Sequence, residues 1–349
     1  MGQLAQDPFS DRVFGESAMH ARVDLAGNSH DANSLPRNPG MPLERDWVSN
    51  VRVNLSATER RAATIGTRRT VKKDHQAAWL LKAITNIDLT TLAGDDTRER
   101  VKRLCAKAIR PLDASLVDAL GVADRAIKVG AVCVYHAMVA TAVEALDGSG
   151  IPVAAVSTGF PAGLVPHDVK LAEIEASVKD GAAEIDIVIT REKVIDQDWD
   201  GLYREMQDFR AASGKAHVKA ILATGDIKTL RNVARASLVC MMAGADFIKT
   251  STGKEGVNAT LPVALIMARM IRAYQEQTGY LVGFKPAGGV GTAKAVMNYQ
   301  FLMREELGRR FMEPDLFRVG ASSLLADIER QLEHHVTGRY SAYNRHAVG

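Results

Sequence analysis

Eight short apolar runs, each followed by an amphipathic stretch of about ten to twenty residues, recur from residue 86 onward, and this alternation limits the fold more than any other feature of the chain. The runs are NIDLTTL, VGAVCVYH, IPVAAVST, AEIDIVI, HVKAILAT, DFIKT, YLVGFKP and LFRVGAS; the first begins at Asn86 and the last ends at Ser322. Near-continuous apolar runs read as strands buried on both faces. Intervening segments such as HDVKLAEIEASVKDGA and LPVALIMARMIRAYQEQTG have the length and period of crossover helices. Parallel strands joined by helices follow, and eight such units over about 250 residues match the α/β architecture of a closed (β/α)8 TIM barrel. An open doubly wound sheet is the alternative, but no GxGxxG follows the first run.

Upstream, residues 1–50 are rich in Asn, Asp, Gly, Ser and Pro with no hydrophobic period, and read as a poorly ordered leader. Order is expected from near Ser56, where SATE has the Ser-x-x-Glu form of a capping box; VKKDHQAAWLLKAI then carries an apolar face at helical spacing. Residues 51–85 therefore read as an N-terminal helical extension, 86–338 as the barrel and 339–349 as a tail. Arg60, Arg61, Arg68, Arg69, Lys72 and Lys73 read as solvated helix faces, with an interaction patch as the alternative.

A chain of 349 residues, 46% hydrophobic, can bury a large core, and a formal net charge of +3 gives no global attraction to nucleic acid or an anionic membrane. Cys105, Cys133 and Cys240 lie far apart with no CxxC spacing, which disfavours a disulfide framework or structural zinc and suits a reducing, cytoplasmic setting. The N-terminus lacks a signal-peptide core, and no membrane span is expected because Gly and Pro break the charge-free stretches. The chain leaves homo-oligomerisation open.

One stretch, AGADFIKTSTGKEGVNAT (243–260), places Lys249 where a buried strand should be most apolar. An unpaired buried ammonium costs several kcal/mol, so this lysine needs a use. Asp186, Lys219 and Lys285 interrupt apolar strands in the same way, and Asp88 lies in the first. Barrels of this kind carry their chemistry at the C-terminal ends of the strands, where these residues converge. A structural ion pair explains any one of them; several together invite another reading. Two lysines held close raise the cost of protonating each other, and burial adds to it, so one becomes a neutral amine able to attack a carbonyl carbon. The loops after the seventh and eighth runs supply Gly288 and Gly289, then Gly320, Ser322 and Ser323, at the usual phosphate position of such barrels. No histidines show metal-ligand spacing.

The segments DLTTL, VCVY, GFPAG, GAAEIDIVI, DFIKTSTGK, GFKPAGGV and RVGASSLL, in this order over residues 80–338, resemble the deoxyribose-phosphate aldolases, class I aldolases; the leader and tail are most similar to the longer, animal-type members. The resemblance implies an aldehyde-lyase of deoxyribonucleotide catabolism that uses no metal or other cofactor and takes a phosphosugar as its small-molecule partner. It implies Lys249 as the Schiff-base lysine, Lys285 as the neighbour that lowers its pKa, and Asp186 as proton relay with Lys285 and an ordered water. Asp88, Thr90, Cys133 and Lys219 match supporting positions, and Gly253, Gly288, Gly289, Gly320, Ser322 and Ser323 match the phosphate site. Two positions depart from the family: Gly291 stands where Arg or Lys usually follows GGV, and His136 replaces a Pro after VCVY. Gly291 should weaken phosphate attraction. A related Schiff-base lyase on another phosphosugar or aldehyde, and a non-catalytic binding barrel, are the alternative functions.

Overall fold

The structure is a computed structural model and describes residues 37–342 and 345–346; residues 1–36, the bulk of the expected leader, and Tyr343 in the tail lie outside the described residues. Eight parallel strands form the centre: β1 (Ile87–Thr90), β2 (Ala131–Tyr135), β3 (Val153–Ser157), β4 (Glu184–Val188), β5 (His217–Ile221), β6 (Phe247–Lys249), β7 (Gly283–Lys285) and β8 (Val319–Ala321). Neighbours pair in the order β7-β6-β5-β4-β3-β2-β1-β8. The cycle closes through bridges between Phe284 and Phe317 and between Ala287 and Gly320. The protein is therefore a (β/α)8 barrel, and each expected run contains one strand.

Helices wrap the barrel because their apolar stripes need the outer faces of the strands. Helix Leu230–Met242 is buried along most of its length, and helix Leu261–Thr278 packs Leu265, Met267 and Ile271 into the same core, which is continuous around the barrel. A smaller cluster, Cys133, Ala154, Val156, Phe160, Val188 and Ile221, fills part of the barrel interior. Among the described residues no helix is long and apolar enough to cross a membrane.

The expected start of order is corrected at the N-terminus. Helix Arg45–Asn50 lies within the segment read as leader and buries Val48 completely. Before it, the chain is fastened at the N-terminal end of β6. Asn38 donates from its backbone to Asp246 Oδ1 at 3.0 Å and from its side chain to the carbonyls of Met241 and Ala245 at 2.7 and 2.9 Å; its Oδ1 accepts from Gly40 N and Tyr274 Oη. Gly40 follows with φ +73, and a Cβ there would meet Met242 O at 2.6 Å, so only glycine fits. Composition alone looked disordered here; the tertiary partners supply the order. Asn38→Ala should lower stability by about 2–3 kcal/mol, because buried carbonyls and a buried tyrosine hydroxyl lose their partner. Thermal unfolding should show a fall of roughly 5 °C, with the catalytic rate at 25 °C unchanged.

The capping box is also corrected. Helix Leu55–Ala63 begins at Asn54, whose side chain accepts from Ala57 N at 2.9 Å, and Ser56 lies inside the helix. Of the six basic residues named as a possible patch, Arg61, Arg68 and Arg69 converge on Glu305 of helix Ala293–Leu307, at 2.9, 3.0 and 2.8 Å. They dock the extension onto the barrel, while Arg60, Lys72 and Lys73 are exposed.

Candidate active site

Lys249 and Lys285 are the last residues of β6 and β7, and the register sets them directly opposite each other. Side chains in register on neighbouring strands share a face, so both amines enter the barrel at its C-terminal end. Both are buried. They meet on a single oxygen: Lys249 Nζ and Lys285 Nζ each donate to Asp186 Oδ2 at 2.7 Å. Asp186, third residue of β4, accepts on its other oxygen from Lys219 Nζ at 3.0 Å. The catalytic and charge-bearing candidates are thus brought together in one cluster.

Asp88 is paired inside the barrel. It is fully buried in β1 and accepts from Lys285 and, at 2.8 Å, from Arg318 Nη1. Arg318 and Glu184 are residues that the sequence reading missed. Arg318 Nη2 donates to Glu184 Oε1 at 2.9 Å, and Lys219 Nζ donates to Glu184 as well. The signal was present: Glu184 is two residues before Asp186 on the same strand and therefore faces the same way. Thr90 turns its hydroxyl back to the Asp88 carbonyl at 2.7 Å. Cys133 is buried, and burial pushes its thiol above the ordinary range.

The cluster separates the lysines. Burial lowers the pKa of Lys249 and the charge of Lys285 lowers it further, against the pull of Asp186. Burial also opposes a charge on Lys285, but Asp186 and Asp88 outweigh it and hold this lysine well above its ordinary value. Lys219 is raised in the same way by Asp186 and Glu184. Burial disfavours an ionised Asp186 too, yet Lys219, Lys249 and Lys285 hold its carboxyl well below the usual range. The site therefore consists of one amine biased toward neutrality, a fixed cation, and a fixed anion between them.

Three loops meet above it. The loop after β6 is braced by Glu255, whose carboxylate accepts from the N–H of Thr252 at 3.0 Å and of Gly253 at 3.1 Å. The N–H of Gly253 is thus already engaged, and this glycine borders the site by its bare Cα: φ is +91, and a Cβ would come within 3.9 Å of Gly288. Gly288 and Gly289 follow β7 with φ +78 and +80. Gly320 N donates to Pro286 O at 3.0 Å, and a Cβ on Gly320 would lie 3.4 Å from Lys285 Cε. Ser322 and Ser323 are exposed; Ser323 is the N-cap of helix Leu324–Thr337 without a side-chain cap bond, so the free N–H groups of that first turn remain open to an anion. The loops thus bring all six phosphate candidates to the same end of the barrel as the lysines. His136 faces away, with Nδ1 3.2 Å from Ser177 Oγ. Tyr340 stacks on His334 at the C-terminal end of the last helix, 4.4 Å between ring centres.

A barrel with a buried lysine of lowered pKa at the C-terminal end of a strand, below loops that carry glycines and a helix N-terminus, is the arrangement that imine-forming carbon–carbon lyases use. The description "DeoC/LacD family aldolase" matches residues 82–326, and the chain belongs to this family. It is 58% identical over 307 residues to the mouse protein named deoxyribose-phosphate aldolase, covering 87% of this chain and 96% of that one. The human protein of the same name is 55% identical over 309 residues, covering 88% and 97%. The crystal structure of a tetrameric deoxyribose phosphate aldolase from Aeropyrum pernix shares the fold with a TM-score of 0.55 at 19% identity, covering 80% of this chain and 99% of that one.

Proposed function

We propose that this protein is a class I deoxyribose-phosphate aldolase that cleaves 2-deoxy-D-ribose 5-phosphate reversibly to D-glyceraldehyde 3-phosphate and acetaldehyde. The observation that carries this reading is the Asp186 oxygen shared at 2.7 Å by Lys249 and Lys285, because it holds a reactive amine beside a fixed cation. The Lys249 amine attacks C1 of the open-chain sugar. The resulting carbinolamine loses water once its hydroxyl is protonated, and Lys285 and Asp186 form the hydrogen-bonded line along which that proton moves. The iminium then draws electrons from the C2–C3 bond as the C3 hydroxyl gives up its proton. C3 leaves as the aldehyde of glyceraldehyde 3-phosphate, C2 of the enamine takes a proton, and hydrolysis releases acetaldehyde and the free lysine. Lys219 and Asp88 hold Asp186 and Lys285 in place, Thr90 and Cys133 border the reacting carbons, and the glycine and serine loops receive the phosphate. A cytoplasmic location agrees with the three free cysteines, all buried. Borohydride added during turnover should leave the mass of the acetaldehyde- or sugar-derived group on Lys249; a trapped adduct on any other lysine would overturn the assignment.

Gly291 gives a test of the phosphate site. Its φ is not in the left-handed region, and a Cβ there would meet only Ser323 Oγ, at 3.3 Å, a hydroxyl that can rotate away. The backbone therefore accepts a side chain at this position, beside the N-cap of the last helix. Charge-assisted hydrogen bonds contribute roughly 1.5–3 kcal/mol, so Gly291→Arg should lower KM for the phosphorylated sugar by about tenfold. Turnover of unphosphorylated deoxyribose should hardly change, because that sugar lacks the group contacted, and kcat for the phosphorylated sugar should hold because the new contact is uniform between ground and transition states. An unmoved KM would mean that another cation, with Lys254 and Lys294 nearest in sequence, already serves the phosphate.

A further inference from the structure

The charges inside the barrel form a closed circuit. Arg318 joins Glu184 (2.9 Å), Glu184 joins Lys219, Lys219 joins Asp186 (3.0 Å), Asp186 joins Lys285 (2.7 Å), Lys285 joins Asp88, and Asp88 returns to Arg318 (2.8 Å). Three carboxylates alternate with three cations, all buried; around the circuit each cation bridges two carboxylates, and Lys219 also lies 3.5 Å from Asp88 across it. Lys249 hangs from this ring by its one contact to Asp186 at 2.7 Å. The ring is electrically complete without it.

We infer that Glu184 and Arg318, at the floor of the barrel, are positioning residues that make Lys249 the surplus cation and hence the amine that gives up its proton. This rests on the Schiff-base reading of Lys249. Among the described residues, the groups facing the ring are Asp88 on β1, Cys133 on β2, Glu184 and Asp186 on β4, Lys219 and His217 on β5, Lys249 on β6, Lys285 on β7, and Arg318 just before β8. β3 adds only the apolar Ala154 and Val156 there. Burial keeps Cys133 a thiol and His217 toward its neutral form, so neither alters the balance near neutral pH. In a low-dielectric interior a surplus charge cannot be neutralised by solvent, and it is relieved by loss of a proton from the least paired group. Arg318 is held above its already high value by Glu184 and Asp88 despite burial, Lys219 has three carboxylates beside it and Lys285 two; among the described residues Lys249 has one, which it shares.

Charge counting gives opposite signs for two substitutions in one ion pair. Glu184→Gln removes an anion, leaves a second surplus positive charge, and should move the acid limb of the kcat/KM profile to lower pH. Arg318→Gln removes a cation, makes Lys249 the missing member of a balanced set, and should move that limb to higher pH. Each shift should be about one pH unit, the order expected when one unit charge is added to or taken from a poorly screened interior. The double variant restores the balance and should return the midpoint to the wild-type position, as should Arg318→Lys. A structural role alone predicts lower stability in both single variants and no such antisymmetry. Shifts of the same sign, or none, would overturn the inference. If a single variant does not fold, 15N-lysine NMR of the wild type decides: the resonance missing from Lys249→Ala should be neutral at pH 7 and the other buried lysines charged, and a charged Lys249 overturns the ring argument. Failure of the Schiff-base reading is distinguishable, since it would appear as absent trapping on wild-type Lys249, whatever the pH midpoints do.

Discussion

Lys249→Ala should have no measurable cleavage activity and no borohydride-trappable adduct, while its fold and thermal stability stay close to those of the wild type. The two halves of this result have different causes. Activity goes because the amine is the bond-forming atom, and no positioned group can replace a covalent nucleophile; a residual rate above about 1% of wild type would show that another lysine forms the imine. Stability survives because the ring of three carboxylates and three cations closes without Lys249. Removing a partner from a buried pair ordinarily costs about 3–5 kcal/mol. Here the group removed is the one with no anion of its own, so the remaining penalty is a cavity the size of a lysine stem. Lys249→Arg should be as inactive as Lys249→Ala, since a guanidinium is never neutral in a protein and cannot attack a carbonyl. Circular dichroism, a thermal melt and intact-protein mass after borohydride test all three statements.

Much of this site was legible in the sequence because it breaks a strong pattern. A lysine inside DFIKT or GFKP contradicts the apolar run around it, and contradiction of a buried pattern at a strand end points to function. The strands were legible for the same reason: β3, VAAVS, is buried at every residue and flanked by Pro152 and Gly159, so only a strand covered on both faces fits it. The floor of the ring was harder to see. Glu184 and Arg318 lie near the beginnings of their runs, where a charge reads as a solvated flank. Only closure of β8 onto β1, with Asp88 opposite Gly320 in register, brings Arg318 within reach of Asp88 and Glu184. Arg37–Met41 was illegible for a related reason. Its Asn, Pro and Gly give no period, and its order comes from Asp246 and Met241, more than two hundred residues away in sequence. Local pattern reports elements; it cannot report which distant carboxylate will fix a polar strap.

Lys285→Leu is the second large effect, and it tests the electrostatic role rather than the covalent one. Leucine keeps much of the buried volume but removes the cation that bridges Asp88 and Asp186. Asp186 then has only Lys249 and Lys219 to neutralise it, and the charge that opposed protonation of Lys249 is gone. The pKa of Lys249 must rise, toward or beyond the solution value of about 10.4. At pH 7 the neutral fraction of such an amine is below about one in a thousand, so kcat/KM should fall by roughly three orders of magnitude. Part of the loss should return on raising the pH, because the amine is present and only its proton is in the way; the acid limb of the profile should move to the alkaline side. The variant should also be less stable. Asp88 and Asp186 are depressed carboxylates in the wild type, so their contribution to stability is full above the unfolded carboxyl pKa of about 3.9 and is lost as pH falls toward their folded values. With Lys285 gone that depression shrinks, and the stability deficit of the variant should be largest at neutral pH and narrow on acidification below about pH 4. Measuring the single-turnover rate of imine trapping at pH 7 and at pH 9.5, on protein shown to be folded at both, separates the two consequences. A rate that is low at both pH values would mean that Lys285 acts on the substrate itself, and an unshifted limb would remove the pairing of Lys249 with Lys285 from the mechanism.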